Sequence, residues 1–153
     1  MTKEFLRDQM RKLEINYGAD KFRINQEMFD LWYEMSAELN DDIFQTAIIQ
    51  TIKTCEYAPT FAVVMNKYRE IEDYKKEMAS FLYHQYSILR ATWGENYDKE
   101  TKLEFIRLVC DKPKETRKEF AINYTHEAVS YHHECEYEAR ESPKLIDYLK
   151  GSR

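Results

Sequence analysis

The sequence predicts an all-α fold in which a small N-terminal helical bundle is joined by a long helix to a second helical region. Only three glycines and three prolines punctuate the 153 residues, which is too few for the tight turns of a sheet. Between these breakers, apolar residues recur at the three- and four-residue spacing that gives a helix one apolar face. One such pattern also continues without a breaker over residues 60–92.

The N-terminal part carries three short helical patterns, each preceded by a residue that favours a helix start. The first pattern follows Thr2 and ends at Gly18. The second follows Asn25, and the third follows Asn40. In the second helix, the apolar stripe that we expect to face the core comprises Met28, Leu31, Trp32, Met35 and Leu39.

The segment TCEYAPTFAVV, residues 54–64, is the one stretch with the composition of a β-strand. Pro59 disfavours helix at the residue before it, so the third helix must end near Cys55. Thr60 then favours a new helix start, and apolar spacing continues from Val64. The segment is therefore predicted to be the joint between two helices.

The long helix that follows this joint divides the chain. It has about 32 residues if it is unbroken, and the WGEN segment at residues 93–96 ends it. We expect residues 1–75 to form the N-terminal bundle and residues 76–153 to form a second helical region that binds a partner.

Three further helices are predicted in the second region. Asp98 caps a helix whose apolar residues are Leu103, Ile106, Val109 and Cys110. Pro113 precedes a helix whose stripe comprises Phe120, Tyr124, Ala128, Tyr131 and Cys135. Ser142 and Pro143 favour the start of a separate terminal helix that ends at Gly151.

Charge and motif content limit the function classes. The 28 acidic and 23 basic residues give a net charge of -5, which does not indicate a basic nucleic-acid-binding domain. The glycine-rich loops that cradle phosphates in nucleotide enzymes have no counterpart, and nothing marks a nucleophile beside a base. We predict a protein that is not an enzyme, needs no cofactor and acts by binding.

Cysteine usage and the first residues indicate a cellular compartment. The chain has three cysteines and opens with the charged segment MTKEFLRDQM, a combination that favours reduced thiols and no export. The longest apolar run, FAVVM at residues 61–65, is far shorter than a membrane span. We expect a soluble cytoplasmic protein with no membrane partner.

Three groups of residues are candidate sites. Cys110, His126, His132 and Cys135 suit a tetrahedral zinc site, but their spacing matches no strong signature, so packed cysteines and no metal are favoured. The candidate nucleic-acid contact, for which a solvated helix end is the alternative, comprises Lys112, Lys114, Arg117 and Lys118. The candidate partner contact comprises Leu145, Ile146, Tyr148 and Leu149. This last segment is too short to be a stable helix alone, so it docks on a partner or on its own region.

Residues 29–71, FDLWYEMSAELNDDIFQTAIIQTIKTCEYAPTFAVVMNKYREI, resemble the N-terminal helical domain of phage replicative-helicase loader/inhibitor proteins. The pieces that match the family's MTKEE opening, LWYEML segment, acidic turn and PPTIADI joint are Met1–Glu4, Leu31–Met35, Asn40–Asp42 and Ala58–Val63. Two features depart from the family. Phe61 follows Thr60, and the second half looks helical where the family's tail looks disordered and carries helicase binding.

The resemblance implies a phage DNA-replication accessory protein in the cytoplasm of a bacterial host cell. Such a protein binds the hexameric, DnaB-type replicative helicase, loads or restrains it without an ATPase of its own, and delivers it to an origin-binding initiator protein. Nucleic-acid contact would be weak or indirect. Two alternatives stay open: a helical DNA-binding replisome component, and a phage inhibitor of a host replication protein.

Overall fold

A computed structural model describes residues 1–94, 97 and 99–150, and it describes side chains up to residue 136. Over these residues the chain is built from α-helices and the segments that connect them. The helices, with a short 3₁₀ turn before the last, are α1 Lys3–Tyr17, α2 Gln26–Ser36, α3 Asp41–Thr54, α4 Phe61–Trp93, α5 Lys99–Cys110, the turn Lys114–Thr116 and α6 Arg117–Lys150. The described residues contain no strand, and the predicted all-α class is confirmed. None of the described helices combines the length and apolar composition that crossing a membrane requires.

Residue contacts divide the chain into two units, Met1–Lys76 and Glu77–Arg153. The boundary between the units falls within α4. The assignment of the second unit to partner binding stays a prediction.

The starts of α2 and α3 are held by the predicted caps. The Asn25 side-chain oxygen accepts a hydrogen bond from the Met28 amide at 2.8 Å, and Asn40 caps α3 in the same way at 3.1 Å. Each cap satisfies an amide that the first helical turn leaves without a partner. At the end of α1, Gly18 adopts a φ of 87°, a left-handed conformation that side chains with a Cβ rarely tolerate.

Trp32 lies at the centre of the first unit's core. Its side chain is 4% exposed, and its ring meets Phe22 and Phe61 edge to face, with centroid separations of 5.8 Å and 5.0 Å. These three residues come from the α1–α2 connection, α2 and the start of α4. The other buried apolar residues of this core are Leu6, Met10, Leu13, Phe29, Ile43, Phe44, Ala47, Ile48, Val64 and Tyr68.

The strand-like segment is a helix joint, as predicted, because α3 ends at Thr54 and α4 begins at Phe61. Two tyrosine hydroxyls form hydrogen bonds near this joint. The Tyr17 hydroxyl donates to the Cys55 carbonyl at 2.9 Å, and partial burial raises the pKa of Tyr17. The Tyr68 hydroxyl accepts from the Asn40 amide at 3.1 Å, which joins α4 to the start of α3.

The predicted apolar stripe of α2 is partly wrong. Leu31 and Met35 are 54% and 42% exposed, whereas the buried residues of this helix are Phe29, Trp32 and Ser36. The small Ser36 side chain allows close packing one turn after the bulky indole. The buried face is therefore narrower than the apolar stripe, and two of its apolar members face outward.

The second unit shows similar shifts between predicted and observed faces. In α5, Leu103 is 56% exposed and Cys110 is exposed, whereas Phe105 and Val109 are buried. In α6, the buried residues among the described side chains are Ala121 and Thr125, whereas Tyr131 and Cys135 are exposed. Small side chains let α6 approach the large rings nearby, such as Phe105, which packs on Tyr124 at 5.2 Å.

Trp93, at the end of α4, and Tyr97, in the segment that follows, pack within the second unit. The Trp93 indole N–H donates to the Ala128 carbonyl at 3.2 Å, and its ring contacts His132 at 4.8 Å. Tyr97 is buried, and its hydroxyl has no hydrogen-bond partner among the described residues. Burial raises the pKa of Tyr97. The predicted cap at Asp98 lies outside the described residues.

The predicted break before a separate terminal helix is wrong, because α6 continues from Arg117 to Lys150 through Ser142 and Pro143. A proline inside a helix removes one backbone hydrogen bond and costs about 3 kcal/mol. Extending an existing helix nevertheless avoids the unfavourable nucleation of a new one. The terminal segment therefore does not depend on docking to become helical.

We expect Trp32→Ala to lower the free energy of unfolding by about 3–5 kcal/mol, because it leaves a cavity between two aromatic rings. Urea unfolding followed by circular dichroism measures the loss. Leu31→Ala is the control next to it in sequence, and its exposed side chain predicts a change within about 0.5 kcal/mol. Equal losses in the two variants would contradict the assigned core face.

Candidate functional site

Arg117, the largest side chain of the predicted basic cluster, holds together the α5–α6 connection. Its guanidinium donates from Nε to the Lys112 carbonyl at 2.9 Å and from Nη2 to the Cys110 carbonyl at 2.7 Å. These carbonyls lie at and just beyond the end of α5, where no helical partner is available. Arg117, at the start of α6, thus supplies hydrogen-bond donors to the carbonyls at the end of α5.

Lys118 and Lys112 also contact their own unit. Lys118 pairs with Glu77 and lies over the Phe81 ring at 5.9 Å, and its hydrogen bond lowers the pKa of the Glu77 carboxyl. Lys112 lies over the Phe120 ring at 4.6 Å. The face of an aromatic ring attracts a cation, and a carboxylate does so by its charge. The cluster therefore has structural contacts that a purely solvated helix end would lack.

The predicted zinc ligands do not come together. Among the described side chains, the group that could hold a metal comprises His132, His133 and Glu136, with ligand atoms within 4.8 Å of one another. His132 is shared with the predicted set, but Cys110, His126 and Cys135 are not part of this group. His132 instead packs edge to face on Trp93 and is partly exposed. Cys110 and Cys135 are exposed, so the expectation that the cysteines are packed is wrong.

An apolar groove on the first unit was not predicted from the sequence. Two adjoining depressions share Met35, Thr60 and Phe61, and together they follow α2 and the first turns of α4. We call this surface the α2–α4 groove. Its apolar lining comprises Phe22, Met28, Leu31, Trp32, Met35, Ala58, Pro59, Phe61, Ala62 and Met65.

The polar residues of the α2–α4 groove are mostly cationic. Lys21 and Arg23 line one depression, and Arg69 lines the other. No carboxylate is among the described residues that line either depression. All three cations are exposed, and none forms an ion pair with another described residue. The groove is therefore locally positive on a chain whose net charge is negative.

The groove was missed because Leu31 and Met35 were assigned to the core stripe. Their spacing with Trp32 fits a helical stripe, and the sequence alone does not show where the buried face ends. One signal was available. Phe29 and Ser36 define, with Trp32, a second face at the same spacing, which leaves Leu31 and Met35 at its edge.

The predicted partner contact lies at the end of α6. The side chains of Leu145, Ile146, Tyr148 and Leu149 lie outside the described residues. The backbone places all four in the same helix as Arg117. Their role in binding stays a prediction.

Residues 1–65 match the family model of the gp39 N-terminal domain. This family comprises phage helicase loader/inhibitor proteins, so the match confirms the resemblance seen in the sequence. The match includes α1 to α3 and the start of α4, and it implies a phage helicase-associated protein. No curated protein and no solved structure was found to match the chain.

We expect Arg117→Gln to lower the free energy of unfolding by about 1.5–3 kcal/mol, because it removes charged hydrogen bonds to the end of α5. Urea unfolding measures the change. Arg107→Gln, at an exposed position of α5, is the matched loss of charge and should change stability by less than about 0.5 kcal/mol. Unchanged stability with a loss of DNA binding would instead make Arg117 a nucleic-acid contact.

Proposed function

We propose that this protein is a phage DNA-replication accessory protein that binds the hexameric, DnaB-type replicative helicase in the cytoplasm of the bacterial host and loads or restrains it. The observation that carries this proposal is the match of residues 1–65 to the gp39 N-terminal domain. The matched range includes Trp32 and the caps of α2 and α3, which help to build the first unit's fold.

The protein would act through binding energy alone. Its sequence contains no phosphate-cradling loop, so conformational preference replaces ATP hydrolysis as the means of changing the helicase. A ligand shifts a conformational equilibrium only by its difference in affinity for the two states. Moving a ring from about 1% to about 99% of one state requires a difference of about 10⁴ in affinity. Because the subunits of a hexamer repeat, several copies binding to one ring would add their effects.

The helicase contact is assigned to the C-terminal residues Leu145, Ile146, Tyr148 and Leu149, and delivery to an origin-binding initiator protein would follow. Burying a large aliphatic side chain contributes about 1.5–3 kcal/mol, and tyrosine is enriched among the residues that dominate interface energies. DNA contact through the basic cluster is a weaker alternative, because Arg117, Lys112 and Lys118 already contact their own unit.

We expect the tagged full-length chain to retrieve the replicative helicase from a lysate of host cells, because the proposed function requires direct binding. Mass spectrometry identifies the retrieved protein, and light scattering of the purified mixture gives the number of copies per hexamer. The purified chain alone should hydrolyse no ATP, whereas it should change the ATPase rate of the helicase. Retrieval of other replication proteins without any helicase would contradict the proposal.

We expect deletion of residues 143–153 to weaken helicase binding with little change in melting temperature, because the deletion shortens only the end of α6. Calorimetry measures both quantities. Lys144→Gln is the control, since it changes the same segment and keeps its large apolar residues. A large drop in stability with binding retained would assign the segment to the fold instead.

A further inference from the structure

We propose that the α2–α4 groove binds an amphipathic helix from a partner protein, and that acidic residues flank the apolar face of this helix. The inference concerns the first unit and does not depend on where the helicase binds. It combines an apolar lining, of which Leu31, Met35 and Ala62 are exposed, with a rim of cations that have no described ion-pair partners.

The groove has a rigid floor and adaptable sides. Trp32 is nearly fully buried and is held between Phe22 and Phe61, so the floor is determined by core packing. Met28, Met35 and Met65 line the sides. Methionine is flexible and polarisable, and surfaces rich in it adapt to apolar side chains of different shapes.

The dimensions favour a helix as the occupant. The lining residues of α4 extend from Phe61 to Arg69, which is a length of about 12 Å along the helix axis, or two turns. A groove of two turns between helices accommodates apolar residues at positions i, i+3 or i+4, and i+7 of a docked helix.

The charges favour acidic flanks on this helix. Lys21 and Arg23 lie beside one depression and Arg69 beside the other, so cations lie along both parts of the groove. Carboxylates on the docked helix would supply partners for cations that have none among the described residues. Complementary charge of this kind selects partners and orients them as they approach.

The test uses two labelled synthetic peptides of about 16 residues, each with leucines at i, i+3, i+4 and i+7. One carries glutamates beside this stripe, and the other carries lysines at the same positions. Titration of the full-length chain, followed by fluorescence anisotropy and by NMR of methionine methyl groups, gives affinity and location. Met10 and Met78 are buried elsewhere and serve as internal references.

We expect the acidic peptide to bind more tightly than the basic peptide and to shift the methyl signals of Met35 and Met65, but not of Met10 or Met78. Met35→Glu should weaken binding by about tenfold or more, because it places a charge in the apolar contact. Arg69→Glu should reduce the preference for the acidic peptide. Ile15→Glu is the control, because Ile15 is 76% exposed on α1 and outside the groove.

Binding of neither peptide, equal binding of both, or equal weakening by Met35→Glu and Ile15→Glu would overturn the inference. Circular dichroism of each variant excludes loss of folding as the cause. A dimer of the full-length chain that Met35→Glu dissociates would also overturn it, because the occupant would then be a second copy of this chain.

Discussion

The packing of Trp32 against Phe22 and Phe61 is the contact on which the first unit depends. It joins the α1–α2 connection, α2 and the start of α4, which are segments distant in sequence. The same three rings contribute to the α2–α4 groove. Stability and the shape of this surface therefore share one set of contacts, and a change that loosens the core also changes the groove. Phe61 has a further interest, because the loader/inhibitor family resembles this chain around Pro59 and Thr60 but departs from it at this residue.

The sequence predicts the positions of helices better than the directions in which they face. Caps such as Asn25 and Asn40 act through neighbouring amides, so local sequence is sufficient to identify them. The break near Pro59 is equally local. Which residues of α2 are buried depends instead on what packs against it, and Leu31 shows the resulting error. At Pro143 the error has the opposite origin, since a locally unfavourable residue is retained within a long helix.

The same contrast between local sequence and packing holds for the site residues. The sequence identifies Lys112, Arg117 and Lys118 as a basic cluster, but charge spacing does not show that Arg117 satisfies the end of α5. The α2–α4 groove combines residues from the α1–α2 connection, α2, the α3–α4 joint and α4. Because these segments meet only in the folded unit, no single sequence window contains the pattern. The family match, by contrast, rests on short contiguous pieces that sequence comparison detects directly.

The placement of the two tryptophans provides a separate optical signal for each unit. Trp32 lies in the core of the first unit, and Trp93 lies in the second, where its indole N–H is hydrogen bonded and its ring packs on His132. Replacing one indole by phenylalanine leaves emission that reports on one unit alone. Denaturation of the two single-tryptophan proteins then shows whether the units unfold in one cooperative transition or in two. Coincident curves are the result expected if the two units, whose boundary lies within α4, unfold in one cooperative transition.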